Sequence, residues 1–234
     1  MPCAISHNLA SGFFIHLRCH FLPDKLKTQP VTGREAVTGV ILAGGQGQRM
    51  GGVDKGLLRF HGLPLIAWSI AKLKPQVDHL LISANRHIAE YASLGYPVVT
   101  DHFPGFAGPL AGIHAALQMV RTPWLITVPC DNPHLPDNLV EALFSAQRQA
   151  FAQSTAESQP PEVIIARTPE RIEPLYCLIR TTVLPHLTSF LEQKKLKVHT
   201  WQTTLPHAWA DFNRHAFTNL NTPLALTTHD QSND

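Results

Sequence analysis

The chain has almost no excess charge. Its 19 lysines and arginines stand against 17 aspartates and glutamates, a formal net charge of +2 over 234 residues. A nucleic-acid binder carries a basic stripe or patch, so this balance argues against nucleic acid as the main partner. Cysteine is scarce too: Cys3, Cys19, Cys130 and Cys177 are scattered, and no C-x-x-C pair occurs. That usage excludes a disulfide framework and fits a reduced, cytoplasmic protein. No apolar run approaches the length of a membrane span. A secretory core is also missing, because Gly12-Phe13-Phe14-Ile15 is short and is interrupted at His16.

Two familiar phosphate loops are absent as well. The dinucleotide fingerprint G-x-G-x-x-G fails, since Gly45-Gln46-Gly47 is followed by Met50 where the third glycine belongs. The Walker loop requires Gly-Lys-Ser/Thr in sequence, but Lys55 lies between Asp54 and Gly56.

What is present is a short apolar run, Val40-Ile41-Leu42, that stops at Ala43-Gly44-Gly45. The run is too short for a helix and reads as a buried strand. Glycines let the backbone bend sharply and approach a ligand, because no Cβ intervenes. A row of backbone N–H groups after a strand forms an anion nest, and Lys55 adds a full positive charge to it. The matching guest is a polyphosphate.

The rest of the chain alternates. Residues 39–42, 79–83, 97–101 and 124–128 read as strands, and residues 64–73, 108–119 and 137–151 as helices. Such alternation implies right-handed βαβ units and a mostly parallel sheet. Ligands of such sheets sit outside the carboxyl ends of the strands. The strand ends here carry Gly44-Gly45, Ser83 and Asn85, Asp101 and Asp131, which therefore converge on one edge. Residues 152–161 read as an exposed linker, 163–166 and 175–179 as a hairpin or neighbouring strands, and 182–193 as a further helix. Residues 1–36 carry no clear period and read as an N-terminal extension, poorly ordered, or an upstream start. The spacing His16-x-x-Cys19-His20 invites a metal reading but lacks a second pair. The remaining 37–234 form one domain.

Asp131 is the natural metal ligand, a hard oxygen donor at a strand end suited to Mg²⁺ bridging phosphate oxygens. The alternative is a turn or helix-capping carboxylate, given the following Asn132-Pro133. Asp101 could simply end a strand. Asn85 could read a base edge or a sugar hydroxyl, or be an ordinary strand-end residue. Cys130 admits a nucleophile or a small buried side chain.

Taken together, L-A-G-G at Leu42–Gly45, R-M-G-G-V-D-K-G-L-L at Arg49–Leu58, Ala84-Asn85-Arg86-His87, Asp101, Gly108-Pro109-Leu110-Ala111-Gly112, Pro129-Cys130-Asp131 and Asn219-Leu220-Asn221-Thr222-Pro223 resemble the nucleotidyltransferases, and among them the molybdenum cofactor guanylyltransferase family. The resemblance runs from about residue 38 to 221. It implies a single three-layer α/β domain with a Rossmann-like sheet of the nucleotide-diphospho-sugar transferase type. It implies GTP and molybdenum-carrying molybdopterin as substrates and Mg²⁺ as the metal, with molybdoenzyme apoproteins or their chaperones as candidate protein partners. By the same resemblance Leu42, Ala43, Gly44 and Gly45 form the nucleotide loop and Lys55 is the phosphate lysine. Asp101 is then a guanosine contact, and Asp131 is shared by GTP and the metal. Asn219 and Asn221 match positions near the pterin. Some members carry asparagine where this chain has Ser83, so that contact is weaker or passes to Asn85. Related cytidylyltransferases show L-A-A-G and lack P-C-D, so Gly44-Gly45 and Pro129-Cys130-Asp131 lean towards guanine. The competing expectations are a nucleotidyltransferase using CTP or a sugar phosphate, and a non-catalytic GTP-binding module. A mere binder need not keep both Lys55 and Asp131.

Overall fold

A computed structural model of the chain describes residues 34–45, 54–101, 103, 108–153 and 159–217. Its frame is a seven-stranded sheet built from β1 (Val37–Leu42), β4 (His79–Ser83), β5 (Val98–Val99), β6 (Trp124–Pro129), β7 (Val163–Arg167), β8 (Ile172–Arg180) and β9 (His207–Asp211). A small hairpin, β2 (Arg59–Phe60) with β3 (Leu63–Pro64), stands apart from it. The order across the large sheet is β5-β4-β1-β6-β8-β7-β9, and only β8 runs against the rest.

The strands are apolar on both sides because helices cover both faces. On β1, Val37 and Ile41 point to one core and Val40 to the other. On β6, Trp124, Ile126 and Val128 share the first core and Leu125 the second. The first core is closed by α1 (Leu65–Leu73) and α4 (Leu139–Gln153), the second by α3 (Pro109–Met119), α5 (Leu184–Glu192) and α6 (Val198–Gln202). Each Leu or Ile so buried contributes about 1.5–3 kcal/mol. Trp124 lies edge-on to Phe144, with ring centroids 5.8 Å apart.

Local chemistry sets the starts and stops. α3 begins with Pro109 at its first turn, after Gly108 at φ 63°. Proline's fixed φ suits that position, and the left-handed φ before it is one that glycine adopts freely. Helices α1, α3, α4 and α5 stand within a few residues of their expected limits. The pair of segments after the linker is an antiparallel hairpin, β7–β8, with a bulge between Ile165 and Ala166. The sequence reading lacked α2 (Ile88–Ala92), α6, β9 and the β2–β3 hairpin, all short.

The boundary drawn after residue 36 passes through contacted chain. Arg34 pairs with Asp78 at 3.1 Å, and Glu35 accepts from the Trp124 indole N–H. Residues 1–33, with the possible metal cluster at His16 to His20, lie outside the described residues. No helix among the described residues is long and apolar enough to cross a membrane.

Candidate active site

From β1 the chain passes through α1 to β4 and through α2 to β5, then returns through α3 to β6 on β1's other flank. The order therefore reverses between β1 and β6, which opens a crevice above their carboxyl ends. The strand ends stay in register beyond the ladder itself. Ala43 N–H donates to the Ser83 carbonyl at 2.7 Å, Cys130 N–H to the Leu42 carbonyl at 3.2 Å, and Ala84 N–H to the Val99 carbonyl at 3.0 Å. The loops leaving β1, β4, β5 and β6 are thereby held side by side.

Lys55 and Asp131 meet in this crevice. The Lys55 Nζ lies 3.2 Å from Asp131 Oδ2, although 76 positions separate the two in sequence. Lys55 rides on a 3-10 turn, Lys55–Leu57, capped by the Asp54 carboxylate, which accepts from Gly56 N–H at 3.2 Å. Asp131 follows β6, and the turn there is closed by its neighbour. The Asn132 Oδ1 accepts from His134 N–H at 2.9 Å, while its amide donates to the Tyr176 hydroxyl at 2.8 Å. Asn132 thus performs the turn-closing role that the sequence left open for Asp131. The Asp131 carboxylate is turned to the ammonium.

Gly44 and Gly45 follow directly. A Cβ on Gly44 would stand 3.6 Å from the Asn85 amide, whereas one on Gly45 would meet nothing within 4 Å. The Gly45 carbonyl accepts from Arg86 at 2.9 Å. Asn85 and Asp101 engage one another: the Asn85 amide donates to Asp101 Oδ2 at 2.5 Å, and Asp101 N–H donates back to Asn85 Oδ1 at 3.1 Å. Ser83 lies beneath the site. It is buried, and its hydroxyl stands 2.5 Å from where a Cβ on Gly112 of α3 would be, so it packs against that helix. Arg49, Asn219 and Asn221 lie outside the described residues.

Cys130 is buried beside these groups. Burial, together with the Asp131 and Asp54 carboxylates, pushes its thiol well above its ordinary value. A nucleophilic cysteine needs its thiolate, so the buried-packing alternative holds for Cys130.

Sequence reasoning missed four supporting groups: Asp54, Tyr91, Asn132 and Tyr176. Asp54 was legible, because an aspartate before a helical turn is a standard N-cap. Tyr91 sits in a five-residue helix and Tyr176 on a strand, and nothing in their spacing announces the contact. Beside the same edge opens a cavity of about 540 Å³, lined among others by Pro133, His134, Asp137, Asn213 and His215.

An ammonium held against a strand-end carboxylate, where the strand order of an open α/β sheet reverses, is suited to moving a phosphate-bearing nucleotide. A family model described as the MobA-like NTP transferase domain matches residues 39–205. A molybdenum cofactor guanylyltransferase of Ralstonia nicotianae is 44% identical over 193 residues, covering 81% of this chain and 94% of that protein. The molybdopterin-guanine dinucleotide biosynthesis protein A of Archaeoglobus fulgidus superposes with a TM-score of 0.63 at 22% identity, covering 82% of this chain and 95% of that one. The Rv0371c protein of Mycobacterium tuberculosis, solved with manganese, gives 0.59 at 15% identity, covering 82% and 96%. The chain belongs to the MobA-like NTP transferase family.

Proposed function

We propose that the protein transfers GMP from GTP to molybdenum-molybdopterin, forming molybdopterin guanine dinucleotide and releasing pyrophosphate. The observation that carries this reading is the 3.2 Å approach of Lys55 to Asp131 at the β1/β6 switch point. It joins the relatedness to guanylyltransferases over most of the chain. A phosphate oxygen of the acceptor attacks the α-phosphorus of GTP. A new P–O bond forms there, and the bond from that phosphorus to the β-bridging oxygen breaks with its electron pair going to pyrophosphate.

The protein's part is positioning and charge compensation. Leu42 and Ala43, bonded to Cys130 and Ser83 at the neighbouring strand ends, hold the nucleotide loop in which Gly44 and Gly45 present backbone to the triphosphate, Lys55 meets its negative charge, and Asn85 and Asp101 stand where the nucleoside would lie. The Asn85–Asp101 pair presents amide and carboxylate atoms together at one strand-end surface. The acceptor we place in the cavity that begins at Pro133, close to Asp131, and reaches His215.

Mg²⁺ fits this donor set. Among the described residues no group of three or more His, Cys, Asp or Glu side chains could form a closed cage. Mg²⁺ is ordinarily held by one or two carboxylates together with substrate phosphates. Asp131 is the residue that would hold it, and the ion when bound supplies charge neutralisation at the phosphate oxygens. A cytoplasmic location agrees with the free, buried Cys130 and Cys177. Molybdoenzyme apoproteins or their chaperones are the protein partners that such a product implies.

The test is to incubate the protein with Mg²⁺, molybdenum cofactor and either GTP or CTP, and to identify the dinucleotide and the pyrophosphate. The expected result is guanine dinucleotide from GTP. Turnover of CTP alone would move the protein to the cytidylyltransferases, and nucleotide binding without pyrophosphate would make it a binding module.

A further inference from the structure

The lysine turn is tied to the body of the fold by a buried contact at Asp54. The same Asp54 Oδ1 that accepts from Gly56 N–H also accepts from the Tyr91 hydroxyl, at 2.5 Å. Asp54 is 7% exposed and Tyr91 is fully buried. Gly56 lies flush against this pair: a Cβ there would stand 2.5 Å from the Tyr91 hydroxyl and 3.3 Å from the Cys130 sulfur. The turn that carries Lys55 is therefore seated between α2, which supplies Tyr91, and the end of β6, which supplies Cys130 and then Asp131.

The physical need for such a seat is clear. Lysine's ammonium sits on a flexible four-carbon stem with large rotamer entropy, so its reach is decided by where its backbone is anchored. The turn runs on into Leu57, packed against the first core, and Leu58, whose carbonyl accepts from Leu65 N–H at 2.8 Å; at the end that carries Lys55 it is held by the contacts of Asp54 and Gly56. A buried carboxylate with two donors is well satisfied, whereas one deprived of a donor is driven to find water or another partner. Loss of the phenol hydroxyl would thus loosen the Asp54 cap and, through it, the lysine. Burial and the hydrogen bond to the Asp54 carboxylate push the Tyr91 phenol far above its ordinary value, so it stays a donor across the working pH range.

We infer that Tyr91, acting through Asp54, is a positioning residue that sets the distance from the Lys55 ammonium to Asp131 and so to the phosphates of the nucleotide. It touches no reacting atom. The inference rests on the transfer reading for its effect on rate, but not for its effect on the lysine itself.

The experiment uses the full chain. Tyr91→Phe keeps the ring and removes one oxygen, and Asp54→Asn keeps an acceptor for both donors. The expected result is a turnover lowered by about 10-fold or more in Tyr91→Phe, with the KM for the acceptor unchanged, the rate largely kept in Asp54→Asn, and the loss repeated in Asp54→Ala. Adding Tyr91→Phe to Asp54→Ala should cost nothing further, because the two act in series. A second measurement needs no substrate. In reductively methylated protein, the ¹³C-dimethyl-lysine resonance of Lys55, assigned by its absence from Lys55→Arg, should shift in Tyr91→Phe. Wild-type turnover together with an unmoved Lys55 resonance in Tyr91→Phe overturns the inference. An inactive wild type whose Lys55 resonance still moves in Tyr91→Phe overturns the transfer reading and leaves the positioning role standing.

Discussion

Replacing Asp131 by asparagine separates chemistry from folding. The side chain keeps its shape and an oxygen for the Lys55 ammonium 3.2 Å away, and loses its charge. The pair is partly open, with the lysine side chain 36% exposed and the aspartate 12%. An ion pair so placed contributes about 1 kcal/mol to stability. A domain's total is about 5–15 kcal/mol, so even from the lower figure the variant is left with roughly one molecule in a thousand unfolded. The melting point should drop by about 2–4 °C. The transition state is another matter. Removing one preorganised group from a site of developing charge costs about 3–4 kcal/mol, or 10²–10³ in kcat. The two magnitudes are far enough apart to assign the cause. Pyrophosphate release with GTP, Mg²⁺ and molybdenum cofactor reads the rate, and circular dichroism reads the melt. The expected outcome is a turnover reduced about 100-fold or more on a protein that melts almost normally. Turnover within about twofold of wild type would refute the role given to Asp131 and the metal placement with it.

Three further outcomes follow from the same geometry. Lys55→Ala should weaken GTP binding and lower transfer by about 100-fold; an unchanged GTP titration and rate would remove the lysine from the site. Deleting residues 1–33 should leave transfer and melting unaltered, whereas deleting 1–36 strips Arg34 from the buried Asp78 carboxylate and should cost about 3–5 kcal/mol, read as a lower urea midpoint; equal midpoints would show that the Arg34 contact contributes nothing. Burial holds the His114 imidazole, 2.9 Å from the Thr188 hydroxyl, below its ordinary value. Its folded form binds protons less readily than its unfolded form, so its contribution is complete above about pH 6.5 and is lost as pH falls through the lower folded value. The melting advantage of wild type over His114→Gln should shrink as pH is lowered from about 8 to about 5, and a constant difference would contradict the assignment.

Much of the edge that carries the site was legible before any coordinates. Long apolar runs such as Trp124–Val128 demand burial on both sides, and their alternation with amphipathic stretches leaves few ways to arrange a sheet. In such a sheet all parallel strands end on one side, so Gly44, Ser83, Asn85, Asp101 and Asp131 had to share an edge. The β7–β8 pair was legible as either a hairpin or two neighbouring strands, because Thr168-Pro169-Glu170-Arg171 permits a turn without dictating one. Short elements escaped for a different reason. α2, α6 and β9 have five residues each, too few for periodicity to separate them from loop.

The division has a physical basis. Period, apolar runs and strand-end chemistry are properties of neighbouring residues, and they settled the class of fold, the edge of the sheet and the candidate pair Lys55 and Asp131. Contacts across the crevice depend on which residues distant in sequence come to lie atom against atom, and no local pattern encodes that. Packing alone turned Ser83 towards Gly112, gave the turn at Asp131 to Asn132, and brought the Tyr91 hydroxyl to the carboxylate that caps the lysine turn.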